Sequence, residues 1–449
     1  MENRYNLIEE KWIPVVEAGL VSLKDIFSNN SLKELGGNPR EKIALLKLLL
    51  AISQAAWTPK DNDEWRKTGA DGLARRCLAY LEKWHDKFYL YGKEPFLQMP
   101  AVRRAKVNSF GDVMPELPSN NGTILTQVQV ERPLDDAAKA RLIVTLMSMA
   151  LGGKQDDRTI VLSPGYQKPR RKASKPGPGI LSIGCLHSFL FGNNIVETCW
   201  LNLFTEDQIR EIKTLPCGLG TPPWEKMPAG EDCEVARRLK DSLFGRLVSL
   251  CRFCLLNEQG LHCTEGIIYP PHTEGIVDPS VAIDSSKKNP KIIWADPEKR
   301  PWRELTSLLS FISNESSRGF ECRQLINTVD RARDVVSSFA VWSGGLRVSN
   351  NAGEQYVSGS DDYVESVTWF KSDMIGEIWF SQFTKEMEGL KKLASNLSYA
   401  VFRYYRELQS KSNGNITKDK KLKNIKGRAE SLFWELSEKY FQGLVNSCS

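Results

Sequence analysis

Stretches in which apolar residues recur at helical spacing are separated along this chain by stretches with no period at all. After Pro39, a favoured first-turn residue, come Ile43, Leu45, Leu46, Leu48, Leu49, Leu50 and Ile52, which predict a helix apolar nearly all round and hence a core helix. Thr58-Pro59 ends it. Leu73, Cys77, Tyr80, Leu81 and Trp84 predict a second helix over residues 73–87. Ala137, Ala138, Leu142, Ile143, Leu146 and Met147 predict a third over 135–151, stopped by Gly152-Gly153. Residues 21–27 read as a turn into a short helix, and 205–214 as a polar helix. Strands are expected at 12–15, cut by Pro14 as at a sheet edge, and at 88–91. Further strands are expected within 179–191, at 195–203, at 266–273 leading into a rigid Pro-Pro turn, at 292–294 and at 339–346. From about Val367 the composition turns helical. Leu390, Leu393, Leu397, Val401, Tyr404 and Leu408 step by three and four, and Leu432, Phe433, Leu436, Tyr440 and Leu444 share one face of a last helix. These form a separate helical module, joined by a basic connector over 411–423.

The least periodic stretch is the most informative. Residues 163–179 hold five positive charges, no negative ones, three glycines and four prolines, a composition that neither a helix nor a strand interior tolerates. It is a loop too long for a simple connector. Cations gathered on one segment repel one another unless a polyanion neutralises them, and nucleic acid is the commonest such partner. A solvated surface loop is the bland alternative. Two other clusters fall in expected loops: Arg103-Arg104-x-Lys106, and the amide-rich run Ser349-Asn350-Asn351-Ala352-Gly353-Glu354-Gln355-Tyr356. Cations position a phosphate backbone, and Asn and Gln amides read base edges or wedge into a duplex.

Length and charge set the frame around these segments. At 449 residues, with 41% hydrophobic and 26% charged residues, the chain is expected to make two or three soluble domains. The net charge of +6 is mild, so its uneven distribution says more than its size. No apolar run is long enough to cross a bilayer and Met1-Glu2-Asn3-Arg4-Tyr5 is no signal peptide, so a cytoplasmic protein without membrane contact is expected, its ten cysteines reduced and mostly buried.

Catalytic signatures are sparse. None of His85, His187, His262 and His272 stands in a metal-protease, nuclease or phosphodiesterase spacing, and there is no phosphate-binding or dinucleotide motif and no Gly-x-Ser-x-Gly elbow. Cys251-x-x-Cys254, followed by His262-Cys263, is the one possible zinc set, against the alternative of packed thiols. Scattered carboxylates, Asp135, Asp136, Asp361 and Asp362, leave open a metal-dependent nucleic-acid-processing enzyme, although adjacent acids are more often helix caps or turn residues. A scaffold without nucleic-acid contact is a third reading. No catalytic residue, cofactor or metal site is assigned.

Several motifs in order resemble the large subunit of the type I-E CRISPR surveillance complex, Cascade (the CasA family). They are Asn6-Leu7-Ile8-x-x-x-Trp12-Ile13-Pro14-Val15, Phe88-Tyr89-Leu90 before Pro95-Phe96-Leu97-Gln98, and Ser163-Pro164-Gly165 leading the basic loop. Tyr269-Pro270-Pro271-His272 and Gly344-Gly345-Leu346-Arg347 before paired asparagines complete them. The resemblance implies an α+β fold: a large mixed α/β N-terminal domain, 1–365, followed by a short C-terminal helical bundle, 366–449. It implies a non-enzyme that recognises the protospacer-adjacent motif in duplex DNA, promotes strand separation and R-loop formation, and helps recruit a helicase–nuclease. The partners it implies are double-stranded target DNA, the 5′ handle of the guide RNA, other Cascade subunits and that nuclease. By resemblance the glycine loop falls on Gly165 through Lys168, beside Arg170, Arg171, Lys172 and Lys175. The wedge falls on Asn350, Asn351 and Gln355, and the motif- and handle-contacting loop on Ile124, Leu125 and Thr126. Three features depart from the family pattern. The glycine run is reduced to Gly165, the lysine expected shortly before Tyr269 is missing, and the C-terminal module has room for about two long helices where the family's bundle has four.

Overall fold

The computed structural model describes residues 2–113, 133–149, 157, 159–166, 184–270, 272, 278–286, 288–313, 319–348, 363–410 and 418–448. The chain opens with the short strands β1 (Arg4–Asn6), β2 (Ile13–Val15) and β3 (Gly19–Val21) and helices α1 (Leu23–Ser28), α2 (Pro39–Ala56) and α3 (Asn62–Lys83). β4 (Tyr89–Tyr91), β5 (Val107–Asn108), α4 (Phe110–Val113) and α5 (Asp136–Met149) follow, then β6 (His187–Phe191), α6 (Ile195–Leu201), α7 (Glu206–Glu211), α8 (Glu234–Lys240) and α9 (Leu243–Leu247). β7 (Arg252–Leu256), β8 (Leu261–Glu265), β9 (Ile283–Asp284) and β10 (Lys291–Ile292) lead through α10 (Leu305–Leu308) and α11 (Arg323–Arg333) to β11 (Ser338–Leu346) and β12 (Tyr363–Lys371). Two long helices close the chain, α12 (Glu377–Ser410) and α13 (Lys418–Ser447).

α2 is the axis of the core. The Asn38 side chain accepts from Glu41 N, Pro39 opens the first turn, and the helix is buried on every side. It lies against α3, α5 and β11. Each fully buried leucine or isoleucine on it contributes about 1.5–3 kcal/mol. Its buried Lys47 is paired with the equally buried Asp278. Burial would push the Asp278 carboxyl up, but the Lys47 charge, His187 and hydrogen bonds from Lys47 and Ser280 outweigh it and hold it at about 2. Lys42 ties the same helix to β12 through Glu365 at 3.0 Å.

Two three-stranded sheets organise the remainder, in the orders β12-β11-β6 and β5-β8-β7, all pairs antiparallel. β11 and β12 pair over nine residues, from Ser338 opposite Lys371 to Leu346 opposite Tyr363. Residues 349–362 therefore join two adjacent antiparallel strands.

Three sequence expectations are corrected. Residues 195–203 were expected as a strand because Ile195, Val196 and Thr198 are β-branched. They form α6, capped by Asn194 accepting from Glu197 N, with Trp200 stacked on Trp65 at 4.2 Å. The strand expected at 266–273 lies earlier, as β8; at Gly266 a Cβ would meet Leu250 O at 2.1 Å, and the ladder stops there. The helical composition expected from Val367 begins instead as strand β12, which runs to Lys371, and the helix starts at Glu377. After it come the two long helices that the chain length allowed.

Candidate nucleic-acid interface

The basic segment is rooted at its N-terminal side by a buried carboxylate. Leu162 N donates to Glu231 Oε2 at 3.0 Å and Ser163 N to the same oxygen at 2.8 Å. Ser163 Oγ accepts from Asp232 N at 2.9 Å, and Ser163 O from Tyr166 N at 3.1 Å, closing a turn. Gly165 sits in that turn at φ +74°, with open space where a Cβ would stand. A side chain there would be strained by backbone conformation and not by crowding. Gly230 permits the approach: a Cβ on it would fall 2.6 Å from Ser163 Oγ.

The C-terminal root is Gly184. Its carbonyl accepts from Ala295 N at 2.9 Å, and Leu186 N donates to Ile293 O at 2.9 Å, so residues 184–186 are laced to 293–295. Gly184 lies at φ +82°, and a Cβ on it would fall 2.4 Å from Val348 Cγ2. Val348 directly precedes the amide-rich segment. The close fit continues at Gly345, where a Cβ would meet Cys185 O at 2.6 Å. The exit of the basic segment and the entrance of the amide-rich segment are thus in van der Waals contact, although they are far apart in sequence. Lys168, Arg170, Arg171, Lys172, Lys175, Asn350, Asn351 and Gln355 lie outside the described residues, as do Ile124, Leu125 and Thr126; of the expected site, Gly165 alone is described.

The second basic cluster is linked to the first. Arg103 and Arg104 are exposed at the end of a short 3-10 turn, Pro100–Arg104. Lys106 N donates to Asp157 Oδ2 at 2.9 Å, and Asp157 N to Cys263 O at 2.9 Å, so the chain leading to the Ser163 turn passes beside this cluster.

The residues named for other chemistry are engaged in packing and capping. Cys254 and Cys263 face each other across β7 and β8 with sulfurs 3.5 Å apart, while Cys251 donates to Leu146 O. His262, next to Cys263 on a strand and hence on its other face, lies 2.7 Å from Ala105 O. The four groups do not converge on one point, and no cluster of three or more His, Cys, Asp or Glu suited to a metal occurs among the described residues. Asp135 accepts from Ala138 N as a helix cap, and Asp136 accepts from the Tyr91 hydroxyl at 2.7 Å. Asp361 and Asp362 lie outside the described residues. His187 meets Ser280 Oγ at 2.7 Å in the core, and His85 packs edge-on to Tyr89.

A second surface stands out on the helix pair. α12 and α13 bury one side against the body through Trp379, Phe383, Trp434 and Val445. The apolar stripe seen in the sequence lies largely on the other side. Leu397, Leu432 and Leu436 are about half exposed and Tyr440 is 78% exposed, along a groove of about 380 Å³. No helix among the described residues is long and apolar enough to cross a membrane.

The family model for "CRISPR-associated protein Cse1" matches residues 6–449. The CasA/Cse1 protein of Thermus thermophilus is 31% identical over 164 residues, a stretch that is 33% of this chain and 32% of that relative, so the alignment spans about a third of the relative's length. Among solved structures, Thermobifida fusca Cse1 is similar with a TM-score of 0.73 at 19% identity, over 98% of this chain and 85% of that one. A chain of a "CRISPR RNA-guided surveillance complex" is similar with a TM-score of 0.65 at 15% identity, over 96% of this chain and 89% of that one. At these identities the structures speak for the fold, which they share over nearly the whole chain.

Proposed function

Because the chain belongs to the CRISPR-associated Cse1 family, we propose that it is the large, non-catalytic subunit of a type I-E-like RNA-guided surveillance complex. In this reading it recognises the protospacer-adjacent motif in duplex DNA, starts strand separation and helps recruit the helicase–nuclease. The observation that carries the reading is the contact between Gly184 and Val348, which roots the basic and amide-rich segments side by side. Cations there hold phosphates, while amides work at the base edges. Minor-groove recognition by backbone and amide groups is degenerate, so it tolerates several motifs. A wedge of amides then unstacks one step, and pairing with the guide carries the opening forward. Gly165, exposed on the Glu231-anchored turn, supports close approach of backbone to DNA. The uncovered stripe on α12 and α13 supports a seat for other subunits of the complex. Of the four carboxylates that an enzymatic reading would use, the two described ones, Asp135 and Asp136, serve as a helix cap and as a tyrosine's acceptor.

The test is reconstitution with the products of neighbouring genes and a guide RNA, scoring R-loop yield on duplex targets. Omitting this chain should abolish target capture, and replacing Asn350, Asn351 and Gln355 with alanine should lower R-loop yield with assembly intact. Equal capture without the subunit refutes the reading, and metal-dependent cleavage of DNA by the purified chain would replace it with the enzymatic one.

A further inference from the structure

The junction between the two roots holds an aromatic residue that the motif reading left aside. Trp294 is 42% exposed, whereas most tryptophans of the described chain are buried. Its exposure does not come from a loose backbone. Cys185 and Trp294 form an antiparallel bridge, and the flanking bonds from Leu186 N to Ile293 O and from Ala295 N to Gly184 O, both 2.9 Å, fix the residue on either side. The indole itself is held at its rim. A Cβ built on Gly184 would lie 3.4 Å from its Cζ3, an ordinary van der Waals distance, so the rim of the ring lies along the Gly184 backbone. His272 stands edge-on to it, with ring centroids 5.5 Å apart and planes at 83°. Burial pushes the His272 imidazole below its ordinary value, so near neutral pH the neighbour is an uncharged ring. The indole is therefore fixed and partly open, beside Gly184 where the basic segment ends and Val348 where the amide-rich segment begins.

A rigid, half-open indole at such a place suits a particular ligand. Phosphates are drawn by cations and base edges by amides, but neither group offers anything to the flat face of a base once it has left the stack. An aromatic face does, and it accepts any base because every base has a π-face. We propose that Trp294 is a stacking platform for an unpaired nucleobase of the opened DNA. The inference rests on the DNA-opening function proposed above and adds to it the group that receives a base after strand separation. His272 acts as a positioning residue, setting the tilt of the ring without touching the base.

The experiment uses the reconstituted complex and a target carrying a pre-opened bubble next to the motif, with 2-aminopurine at successive bubble positions. Stacking on a single aromatic residue is typically worth a factor of about ten in affinity. Trp294→Ala should therefore weaken bubble binding about tenfold, and the aminopurine that is quenched in the parent complex should brighten. The slope of log affinity against log salt should not change, since no phosphate contact is lost. Trp294→Phe should restore most of the binding. Trp294→Leu, which keeps apolar packing against Gly184 without a π-face, should behave like the alanine variant and guards against simple misfolding. Binding and quenching by the leucine variant equal to those of the parent would overturn the proposal, as would a phenylalanine variant no better than alanine. If the parent complex captures no target at all, the functional reading fails; if the parent captures target and all variants match it, this inference alone fails.

Discussion

Replacing Glu231 tests whether the turn that carries Gly165 is a working part of the DNA-binding surface. The Glu231 carboxylate accepts from two successive amides, Leu162 N and Ser163 N, at 3.0 and 2.8 Å, and the residue is only 4% exposed. Hydrogen bonds to a charged acceptor contribute about 1.5 kcal/mol each at the low end, so Glu231→Ala removes about 3 kcal/mol from the closed state of this segment. That is a shift of about a hundredfold in its opening equilibrium. Hydrogen–deuterium exchange over residues 159–166 is the direct assay: the Leu162 and Ser163 amides should exchange about a hundredfold faster in the variant, with the core strands unaffected. Glu231→Gln retains one acceptor oxygen and should fall between the two. Target-DNA affinity of the assembled complex should drop in the same order, because a glycine that must first be positioned binds less tightly than one already held. Unchanged exchange would refute the energetic argument. Faster exchange with undiminished DNA affinity would leave the turn intact as structure but remove Gly165 from the interface.

Three other outcomes are expected. Replacing Lys168, Arg170, Arg171, Lys172 and Lys175 with glutamine should weaken target binding and reduce the salt slope by about 4.5 if all five meet duplex phosphates; an unchanged slope assigns the segment to protein contacts. Leu432→Asp with Leu436→Asp should cost the isolated chain about 1.5–3 kcal/mol, half the full burial value for each half-exposed leucine, yet lower co-purification with other subunits about a hundredfold; intact co-purification removes the helix pair from assembly. The Asp278 carboxyl, held at about 2 against an ordinary value of 3.8, contributes about 2 kcal/mol that is present above pH 4 and lost as pH falls toward 2, so acid titration of the parent against Asp278→Asn should show that difference in the window, and parallel curves would sink it.

What could be read from the sequence was local. α2 follows from Asn38, Pro39 and a run of apolar residues without a polar face, and α12 and α13 from their periodic stripes. α6 was misread because its β-branched residues favour strands, while what fixes it is a partner far along the chain. Trp65 Nε1 donates to Trp200 O at 2.9 Å, Trp200 Nε1 to Trp65 O at 3.2 Å, and the Arg331 guanidinium lies 4.4 Å above the Trp65 ring. β12 was hidden by its exposed positions. Val364, Thr368 and Phe370 are buried at alternate sites, but Val367 and Trp369 between them are apolar as well, so no alternation shows. Gly165 was singled out by motif, and the structure adds its left-handed conformation and open surroundings. Glu231 was invisible, because a lone acid in a loop carries no signal until its acceptors' donors, 68 and 69 residues away, are brought to it.

The glycines show why the candidate interface was only half legible. In sequence each glycine near a basic segment reads as room for a phosphate or a base edge. In the fold, most of that room is filled by the protein itself: Gly230 admits Ser163, Gly184 admits Val348, and Gly345 admits the Cys185 carbonyl. Gly165 alone among these four faces open space. Glycine here mainly sets segments close together, and the segments carry the cations and amides. The β11–β12 pair links this region to the C-terminal helices. The β11–β12 ladder runs unbroken from Leu346 and Tyr363 to Ser338 and Lys371, about 30 Å at strand spacing. Near its far end the Gln442 side chain of α13 closes on the edge strand, accepting from Trp369 N at 3.0 Å and donating to Trp369 O at 2.8 Å. The entrance of the amide-bearing segment and the apolar helix pair are thus attached toward opposite ends of one hydrogen-bonded ribbon.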